Sequence, residues 1–309
     1  MNRKKNLING VLSTPMSPFT KTGKLDLDLI EPFVAWQADQ GISGFYVLGT
    51  WGGFAVQSLD ERKRVAEAYA KASQKHSMQI MVHITAHAWE DTLALGRHAI
   101  DCGVAAISAT VPGYYSTGGY LGMDDYKRYF GGLVEQLKHP LFVYNNPRTT
   151  NVLFEPNEFV ELVKVGVAGV KDGSKNIAWI LKAQNQLSDA GLAAEIIPGN
   201  SVGLLYGFLY GCKAVTSGAA VVFPNEALKV RILLERGDMQ GASAQHRYVL
   251  KLREAMGICS APPSSAHFLL QRGSHGLGYP RSIWPILDFQ TGQKLDQLIG
   301  DAHKLMPES

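Results

Sequence analysis

Short runs of consecutive apolar residues alternate with longer amphipathic segments through the first two thirds of the chain. Strands that are apolar on both faces are typical of a parallel sheet covered by helices. The pattern predicts eight strands: Gly10–Ser13, Gly44–Leu48, Gln79–Ile84, Ala105–Val111, Leu141–Tyr144, Val167–Val170, Glu195–Ile197 and Lys213–Thr216.

The segments between these strands repeat apolar residues at helical spacing. In the first segment Leu25, Leu29, Phe33 and Trp36 fall on one helical face. The second segment has acidic residues near its start, where a helix favours them. We predict helices at Leu25–Gln40, Leu59–Ser73, Glu90–Cys102, Asp124–Lys138, Pro156–Val163, Asn176–Leu187 and Val202–Tyr210.

The regular alternation favours a closed α/β barrel, the (β/α)8 TIM barrel, over an open doubly wound sheet. Residues 1–224 are predicted to hold the barrel strands and the first seven helices. Residues 225–309 are predicted to supply the eighth barrel helix and a C-terminal helical extension. The helices expected in this second part are Asn225–Arg236, Asp238–Met256, Ser264–Gln271 and Thr291–Leu305.

Composition narrows the class of partner. The chain has 309 residues, 46% of them hydrophobic, and a formal net charge of +3. The sequence has no basic stripe with interleaved aromatic residues and no apolar run of membrane-spanning length, so we expect neither a nucleic-acid nor a membrane partner. The three cysteines lie far apart without a CxxC pair, which is typical of free thiols in a reducing compartment. We therefore expect a cytoplasmic protein.

One lysine lies in an unusual position. Lys171 directly follows the apolar run Val167–Val170 and precedes a glycine turn. An ammonium ion loses hydration at a buried strand, and burial favours the neutral amine, which attacks carbonyl groups. A lysine at a strand end also commonly extends into solvent, and from this segment alone that interpretation is favoured.

Residues at the ends of the other strands favour a nucleophilic role for Lys171 over extension into solvent. In a (β/α)8 barrel the chemistry lies at the carboxyl ends of the strands, where Thr50, Tyr144 and the pair Tyr114–Tyr115 accompany Lys171. A lysine converts a ketone to an imine, a phenol moves protons, and a threonine hydroxyl links phenols into a relay. Glycine-rich turns after the first strands offer backbone N–H groups to a carboxylate. The combination indicates an enzyme that uses a covalent lysine imine.

A metal site is the alternative source of carbonyl chemistry. His83 and His87 have a His-x-x-x-His spacing that binds zinc when both lie on one helix face. Here the pair follows a predicted strand, and the segment supplies no neighbouring carboxylate or cysteine ligand. We therefore predict that the protein requires neither a metal nor another cofactor.

In this order and spacing the motifs resemble the pyruvate-dependent class I aldolase family that contains dihydrodipicolinate synthase and N-acetylneuraminate lyase. The resemblance extends from Gly10 through the C-terminal helices. Its signatures are the turn Gly49–Gly52 with Gln57–Arg62 behind it, the tyrosine pair, Tyr144–Asn145–x–Pro147, and Gly169–Asp172.

The resemblance implies roles for several of these residues. Lys171 would form the Schiff base, Tyr144 would be the acid and base beside it, and Thr50 would relay protons and help to hold the carboxylate of a 2-oxo acid. A third relay residue, lent by a neighbouring subunit in the family, matches Tyr114, or Tyr115 after a one-residue shift. The resemblance thus implies a homo-oligomer, a homotetramer built as a dimer of dimers. Gly199 and Val215 match pocket-lining positions.

Departures from the family pattern concern the second substrate. Trp51 replaces a threonine of the carboxylate-binding turn, and Gly53 replaces a glutamate. Dihydrodipicolinate synthases carry an arginine for the second substrate's carboxylate where this chain has Thr149, and Arg148 lies one residue early. These changes predict an altered second-substrate pocket lined by Trp51, Arg148 and Thr149.

The other named member of the family also fits incompletely. N-acetylneuraminate lyases carry acidic residues after the glycine of the seventh strand, whereas Gly199–Val202 has none. Ser217 does match a hydroxyl-binding serine of that branch. We therefore predict a Schiff-base lyase or aldolase acting on pyruvate or a related 2-oxo acid.

Several alternatives remain open at this point. They are dihydrodipicolinate synthase proper, a sugar-acid aldolase like N-acetylneuraminate lyase, and a 2-keto-3-deoxy sugar acid dehydratase. A protein that binds a 2-oxo acid as a sensor without turnover belongs to a different class, as does a metal-dependent aldolase. One imine serves condensation, cleavage and dehydration alike, so the motifs do not choose among these reactions.

Overall fold

The computed structural model describes residues 8–116, 119–259, 261–281 and 284–307. Its centre is a parallel sheet of eight strands in the order β7-β6-β5-β4-β3-β2-β1-β8. Strand β8 pairs with β1, and a bridge between Gly199 and Thr216 joins the β7 and β8 ends, so the sheet forms a nearly closed barrel. The strands are β1 Gly10–Ser13, β2 Gly44–Val47, β3 Gln79–His83, β4 Ala106–Ala109, β5 Leu141–Asn145, β6 Gly169–Asp172, β7 Glu195–Pro198 and β8 Ala214–Ser217.

Helices alternate with the strands and then continue beyond the barrel. The long barrel helices begin and end within a few residues of the predicted bounds. The four-residue helices after β4 and β5 were not predicted. The helices are α1 Ile30–Asp39, α2 Leu59–Lys75, α3 Trp89–Asp101, α4 Gly113–Ser116, α5 Met123–Leu137, α6 Pro147–Thr150, α7 Pro156–Lys164, α8 Ile177–Asp189, α9 Gly203–Leu209, α10 Pro224–Glu235, α11 Met239–Ala255, α12 Pro262–Arg272 and α13 Phe289–His303.

Strand alternation divides the core into two layers. On β5, Phe142 and Tyr144 point into the barrel, whereas Val143 packs outward against the helices. Full burial of one such side chain contributes about 1.5–3 kcal/mol, so both layers hold the strands in register. The interior cluster consists of Ile8, Leu12, Tyr46, Met81, Ala106, Phe142, Tyr144, Ile197 and Ala214.

The C-terminal helices are attached to the barrel by packing and by charge. A separate apolar cluster joins α11 to α13 through Tyr248, Leu252 and Leu295. The Arg281 guanidinium donates to the Glu61 carboxylate at 2.8 Å, and Glu61 also forms the capping box that begins α2. This ion pair attaches the segment that ends at Arg281 to the start of α2. Within the described ranges, no helix combines the length and the apolar character needed to cross a membrane.

The position of strand β6 differs from the prediction. The strand covers Gly169–Asp172, so Lys171 lies within it rather than after it. Backbone pairing continues through this residue, which is in register with Tyr144 on β5 and Ile197 on β7. The charged side chain therefore projects from a strand that is hydrogen-bonded on both sides.

Candidate active site

Lys171 is buried inside the mouth of the barrel. Its side chain is 5% exposed, and its Nζ lies 4.0 Å from the centre of the Tyr144 ring and 5.1 Å from that of Tyr46. Aromatic faces attract an ammonium ion at such distances. The lysine therefore points into an aromatic pocket, and the alternative of extension into solvent is excluded by the geometry.

Gly199 provides the space that Lys171 occupies. A Cβ at this position would lie 2.6 Å from the Lys171 Cε and 2.7 Å from its Nζ. The Gly199 N–H also donates to the backbone oxygen of Asp172 at 2.5 Å, which ties the end of β7 to the end of β6. A glycine is therefore required by close approach of the lysine side chain.

A line of polar groups runs from Tyr144 across the mouth. The Tyr144 hydroxyl lies 3.3 Å from the Thr50 Oγ1, and the Asn146 Nδ2 donates to that same Oγ1 at 3.3 Å. Asn146 also donates to the Thr149 Oγ1 at 2.8 Å. Thr50 occupies a tight turn, since Leu48 before it has a left-handed φ of 59°. The structure thus brings Lys171, Tyr144 and Thr50 together, as predicted from the sequence.

A second polar chain lies deeper in the barrel and was not predicted. The Tyr46 hydroxyl is 2.9 Å from the Ser108 Oγ, which is 3.4 Å from the His83 Nδ1. Burial raises the pKa of Tyr46 well above its usual value and, with the charges of Arg62 and Lys171, lowers the pKa of His83 well below its usual value. Both side chains are consequently neutral beneath the lysine. The sequence did contain a signal for this chain, because polar residues occupy inward-facing positions of three otherwise apolar strands.

Asp172 lies on the outer face of the same strand as Lys171. It accepts hydrogen bonds from the Asn145 Nδ2 at 3.0 Å and from the Ser174 Oγ at 2.7 Å. Burial raises the pKa of Asp172 to about 6, and the hydrogen bonds from Ser174 partly oppose that shift. Its carboxylate thus orders the turn that follows β6.

Lys171 opens into a cavity of about 480 Å³, a size suited to a small molecule. Thr50, Tyr144 and Gly199 line its floor, whereas Arg148 and Thr149 are exposed side chains on its wall. Sequence reasoning did not identify the other lining side chains that carry charge or a large ring. They are Tyr46, Lys175, Arg253, Glu254 and Trp284.

Trp51 forms one wall of this cavity. Its ring lies against Gly218, where a Cβ would be only 2.7 Å from the indole, and the Arg253 guanidinium carbon lies 5.2 Å from the ring centre. The ring that replaces the family's threonine therefore supports a cation supplied by α11.

Some predicted site residues do not reach the cavity. Val215 points outward, since a Cβ on Gly207 would lie 2.8 Å from its Cγ2, and the neighbouring Thr216 lines the cavity instead. Ser217 is fully buried, and its Oγ lies 2.9 Å from the Ser201 Oγ. Ser217 itself is not among the residues that line the cavity. The register of β8 therefore corrects the prediction that Val215 and Ser217 line the pocket.

The tyrosine pair after β4 lies outside the cavity of its own chain. Tyr114 is 76% exposed and Tyr115 is 58% exposed, with their ring centres 5.2 Å apart. Neither belongs to the lining of the cavity around Lys171 within one chain. An intersubunit role for either tyrosine stays a prediction.

The two histidines considered for a metal do not converge. His83 is buried in the barrel interior, and His87 is exposed on the following loop. Among the residues that the structure describes, no group of three or more His, Cys, Asp and Glu side chains is arranged around a common point for a metal ion.

The protein is a (β/α)8 barrel that buries a lysine among phenols at the carboxyl ends of its strands. The profile of the dihydrodipicolinate synthetase family matches residues 7–278. The chain belongs to that family.

The chain is also similar to several individual proteins. An uncharacterized DapA-like lyase of Halobacterium salinarum is 26% identical over 250 residues, covering 81% of this chain and 79% of the relative. An N-acetylneuraminate lyase of Rhizobium meliloti is 32% identical over 184 residues, covering 59% of this chain and 60% of the relative. The solved structure of YagE, a family protein of E. coli K12 in complex with pyruvate, superposes with a TM-score of 0.88 at 19% identity, covering 96% of this chain and 99% of YagE.

Proposed function

We propose that this protein is a Schiff-base lyase or aldolase that acts on pyruvate or a related 2-oxo acid. The observation that carries the proposal is the buried Lys171 Nζ beside Tyr144, whose hydroxyl lies 3.3 Å from Thr50. A nucleophilic amine, a phenol and a hydroxyl link are the groups that imine formation needs. Family membership and the pyruvate bound to YagE support the same chemistry.

The first half of the reaction forms the imine. The Lys171 amine adds to C2 of the 2-oxo acid, and one of its two protons moves to the carbonyl oxygen, which gives a carbinolamine. Tyr144 donates its phenolic proton to the carbinolamine hydroxyl, which already carries one of the two amine protons, and this group leaves as water. The nitrogen keeps its other proton as an iminium ion, and Thr50 stabilises the phenolate of Tyr144 through its hydroxyl.

The second half uses the iminium ion as an electron sink. The Tyr144 phenolate removes a proton from C3, and the electron pair of that C–H bond forms the enamine. C3 then attacks the carbonyl carbon of an aldehyde, and Tyr144 gives its proton to the new alkoxide. Water adds to the resulting imine, releases a 4-hydroxy-2-oxo acid and restores the lysine amine. Cleavage of such an acid follows the same steps in reverse.

The carboxylate of the 2-oxo acid fits beside the turn that follows β2. Thr50 and Trp51, which belong to this turn, both line the cavity that contains Lys171. Backbone N–H groups in such turns bind anions well. We therefore assign the carboxylate to this turn even though Trp51 has no hydroxyl.

Proton exchange at C3 tests the proposal and separates it from a non-catalytic sensor. With pyruvate in D2O and no aldehyde, the wild-type protein should catalyse replacement of the methyl protons, followed by NMR. Lys171→Met keeps the length of the side chain without its amine and should leave only the spontaneous rate. Binding of pyruvate without exchange above that rate would instead identify a sensor.

The names of the relatives do not decide the second substrate. Thr149 occupies the position of the arginine expected in dihydrodipicolinate synthases, and its hydroxyl is held by Asn146. Residues 199–202 supply no carboxylate for the hydroxyls of a sugar acid. Both observations favour a member of the family with a different second substrate, whose chemistry follows from the other wall of the cavity.

A further inference from the structure

Three cationic side chains line the cavity that contains Lys171. Arg148 comes from α6, Lys175 from the turn after β6, and Arg253 from the end of α11. Among the described residues that line the cavity, Glu254 is the one carboxylate, and it is already paired with Lys251 at 2.9 Å. Within the described ranges, none of the three cations forms an ion pair with a carboxylate.

The structure holds these cations in place at a cost in stability. Lys175 has a left-handed φ of 67°, a conformation that disfavours a side chain with a Cβ. Arg253 is half-buried above the Trp51 ring. Burial lowers the pKa of Lys175, and the charges of Arg148 and Arg253 add to that shift. Burial lowers the pKa of Arg253 as well, with a contribution from Arg148.

Uncompensated like charges repel one another, so a bound anion would stabilise this arrangement. The cluster lines the same cavity as Lys171 and comes from α6, the turn after β6 and α11, whereas the turn assigned to the carboxylate beside the imine follows β2. It is therefore placed for a second negative group farther along the substrate.

We propose that Arg148, Lys175 and Arg253 form an anion subsite that binds a carboxylate or phosphate on the aldehyde partner of the reaction. The acceptor aldehyde, or the equivalent end of a 4-hydroxy-2-oxo acid undergoing cleavage, is then anionic. This proposal rests on the proposed function for its substrate and on the cation cluster for its subsite. Trp51 is a positioning residue here, because its ring supports the Arg253 guanidinium.

Paired aldehydes test the substrate class. Condensation with pyruvate is measured for succinic semialdehyde against neutral butanal, and for glyceraldehyde 3-phosphate against neutral glyceraldehyde. We expect one anionic aldehyde to exceed its neutral partner in kcat/KM by about 10- to 100-fold, as for a charge-assisted contact. The pair with the larger ratio distinguishes a carboxylate from a phosphate ligand. Equal kcat/KM values within both pairs would overturn the proposal.

Variants of the cluster test the residues. Arg253→Met should raise the KM for the preferred anionic aldehyde about 10- to 100-fold, and by a larger factor than for its neutral partner. Lys175→Asn, which suits the left-handed backbone, should act in the same direction. Arg247→Met removes an exposed charge from the same helix and serves as the matched control. Equal behaviour of Arg253→Met and Arg247→Met would exclude a role for Arg253.

Direct binding keeps this test separate from the imine chemistry. Calorimetry with inorganic phosphate and with succinate should detect binding that Arg253→Met weakens and Lys171→Met retains. Binding that depends on Arg253, without any proton exchange on pyruvate, would retain the subsite and reject the proposed function. Proton exchange on pyruvate, with no difference between the anionic and the neutral aldehyde of either pair, would retain the proposed function and reject the subsite.

Discussion

The Nζ of Lys171 lies 4.0 Å from the centre of the Tyr144 ring, and the two residues are paired in register on neighbouring strands. This relationship follows from backbone pairing and does not depend on a flexible loop. A side-chain pair held by adjacent strands keeps its geometry through a reaction cycle, which is what a nucleophile and its acid–base partner require.

Removal of the Tyr144 hydroxyl should lower the rate of the reaction without lowering the stability of the fold. Tyr144→Phe keeps the ring beside Lys171 and deletes the proton donor, so kcat should fall about 10²- to 10⁴-fold. The melting temperature should change little. Tyr126→Phe, on the helix layer outside the barrel, is the control and should retain wild-type turnover. A fully active Tyr144→Phe protein would remove the phenol from the mechanism.

Gly199 should tolerate no larger residue. Gly199→Ala places a methyl group 2.6 Å from the Lys171 Cε and 2.6 Å from the Asp172 backbone oxygen. We expect a loss of about 1–3 kcal/mol in the free energy of unfolding, as for other overpacked sites, together with a displaced lysine and slower proton exchange on pyruvate. Gly300→Ala, where a Cβ meets nothing within 4 Å, provides the comparison. Exchange at the wild-type rate in Gly199→Ala would contradict the steric argument.

If each subunit contributes a tyrosine to the active site of its neighbour, a tyrosine variant and a lysine variant should restore activity to each other when mixed. Neither Tyr114 nor Tyr115 lines the cavity of its own chain, as expected if one of them reaches a neighbour's site. Tyr114→Phe should reduce turnover, and Tyr115→Phe should do so instead if the one-residue shift applies. Mixed refolding of the affected variant with Lys171→Met should restore part of the activity, because some sites then hold both native residues. Mixtures that stay at the level of the parent variants would argue against sharing.

Asp172 should make stability depend on pH. Burial raises the pKa of its folded form to about 6, from an ordinary value of 3.8. Between these values the folded protein holds a proton that the unfolded chain has released, so the contribution is present below pH 4 and is lost as the pH rises to about 6. Relative to Asp172→Asn, the wild-type free energy of unfolding should fall by about 3 kcal/mol across this window. Urea unfolding of both proteins at several pH values makes the comparison, and parallel profiles would exclude the effect.

The sequence pattern was sufficient for the barrel because its strands are apolar on both faces and its long helices are periodic. It placed β6 two residues early, since a buried lysine and aspartate do not look like strand residues in isolation. Helices α4 and α6 contain four residues each, which is too short for periodicity to appear. Prediction was therefore weakest where the chain turns at the mouth of the barrel.

The residues of the candidate site that lie at strand ends could also be predicted from the sequence, whereas those brought in by tertiary packing could not. Lys171 and Tyr144 lie near the carboxyl ends of β6 and β5, Thr50 follows β2, and the barrel topology alone brings these ends together. Arg253 is on α11, distant in sequence, and nothing in its local pattern distinguishes it from a solvent-exposed helix residue. Val215 was assigned to the pocket although Thr216 faces it, because strand register decides the direction of each side chain. Contacts set by tertiary packing were thus beyond the local pattern.

Covalent trapping shows whether Lys171 forms an imine with pyruvate. Incubation with pyruvate and borohydride reduces an imine to a stable secondary amine, and peptide mass mapping then locates the added group. We predict one pyruvate-derived modification per chain, on the peptide that contains Lys171, and none in Lys171→Met. Unmodified wild-type protein, or modification at another lysine, would show that Lys171 is not the residue that forms the imine.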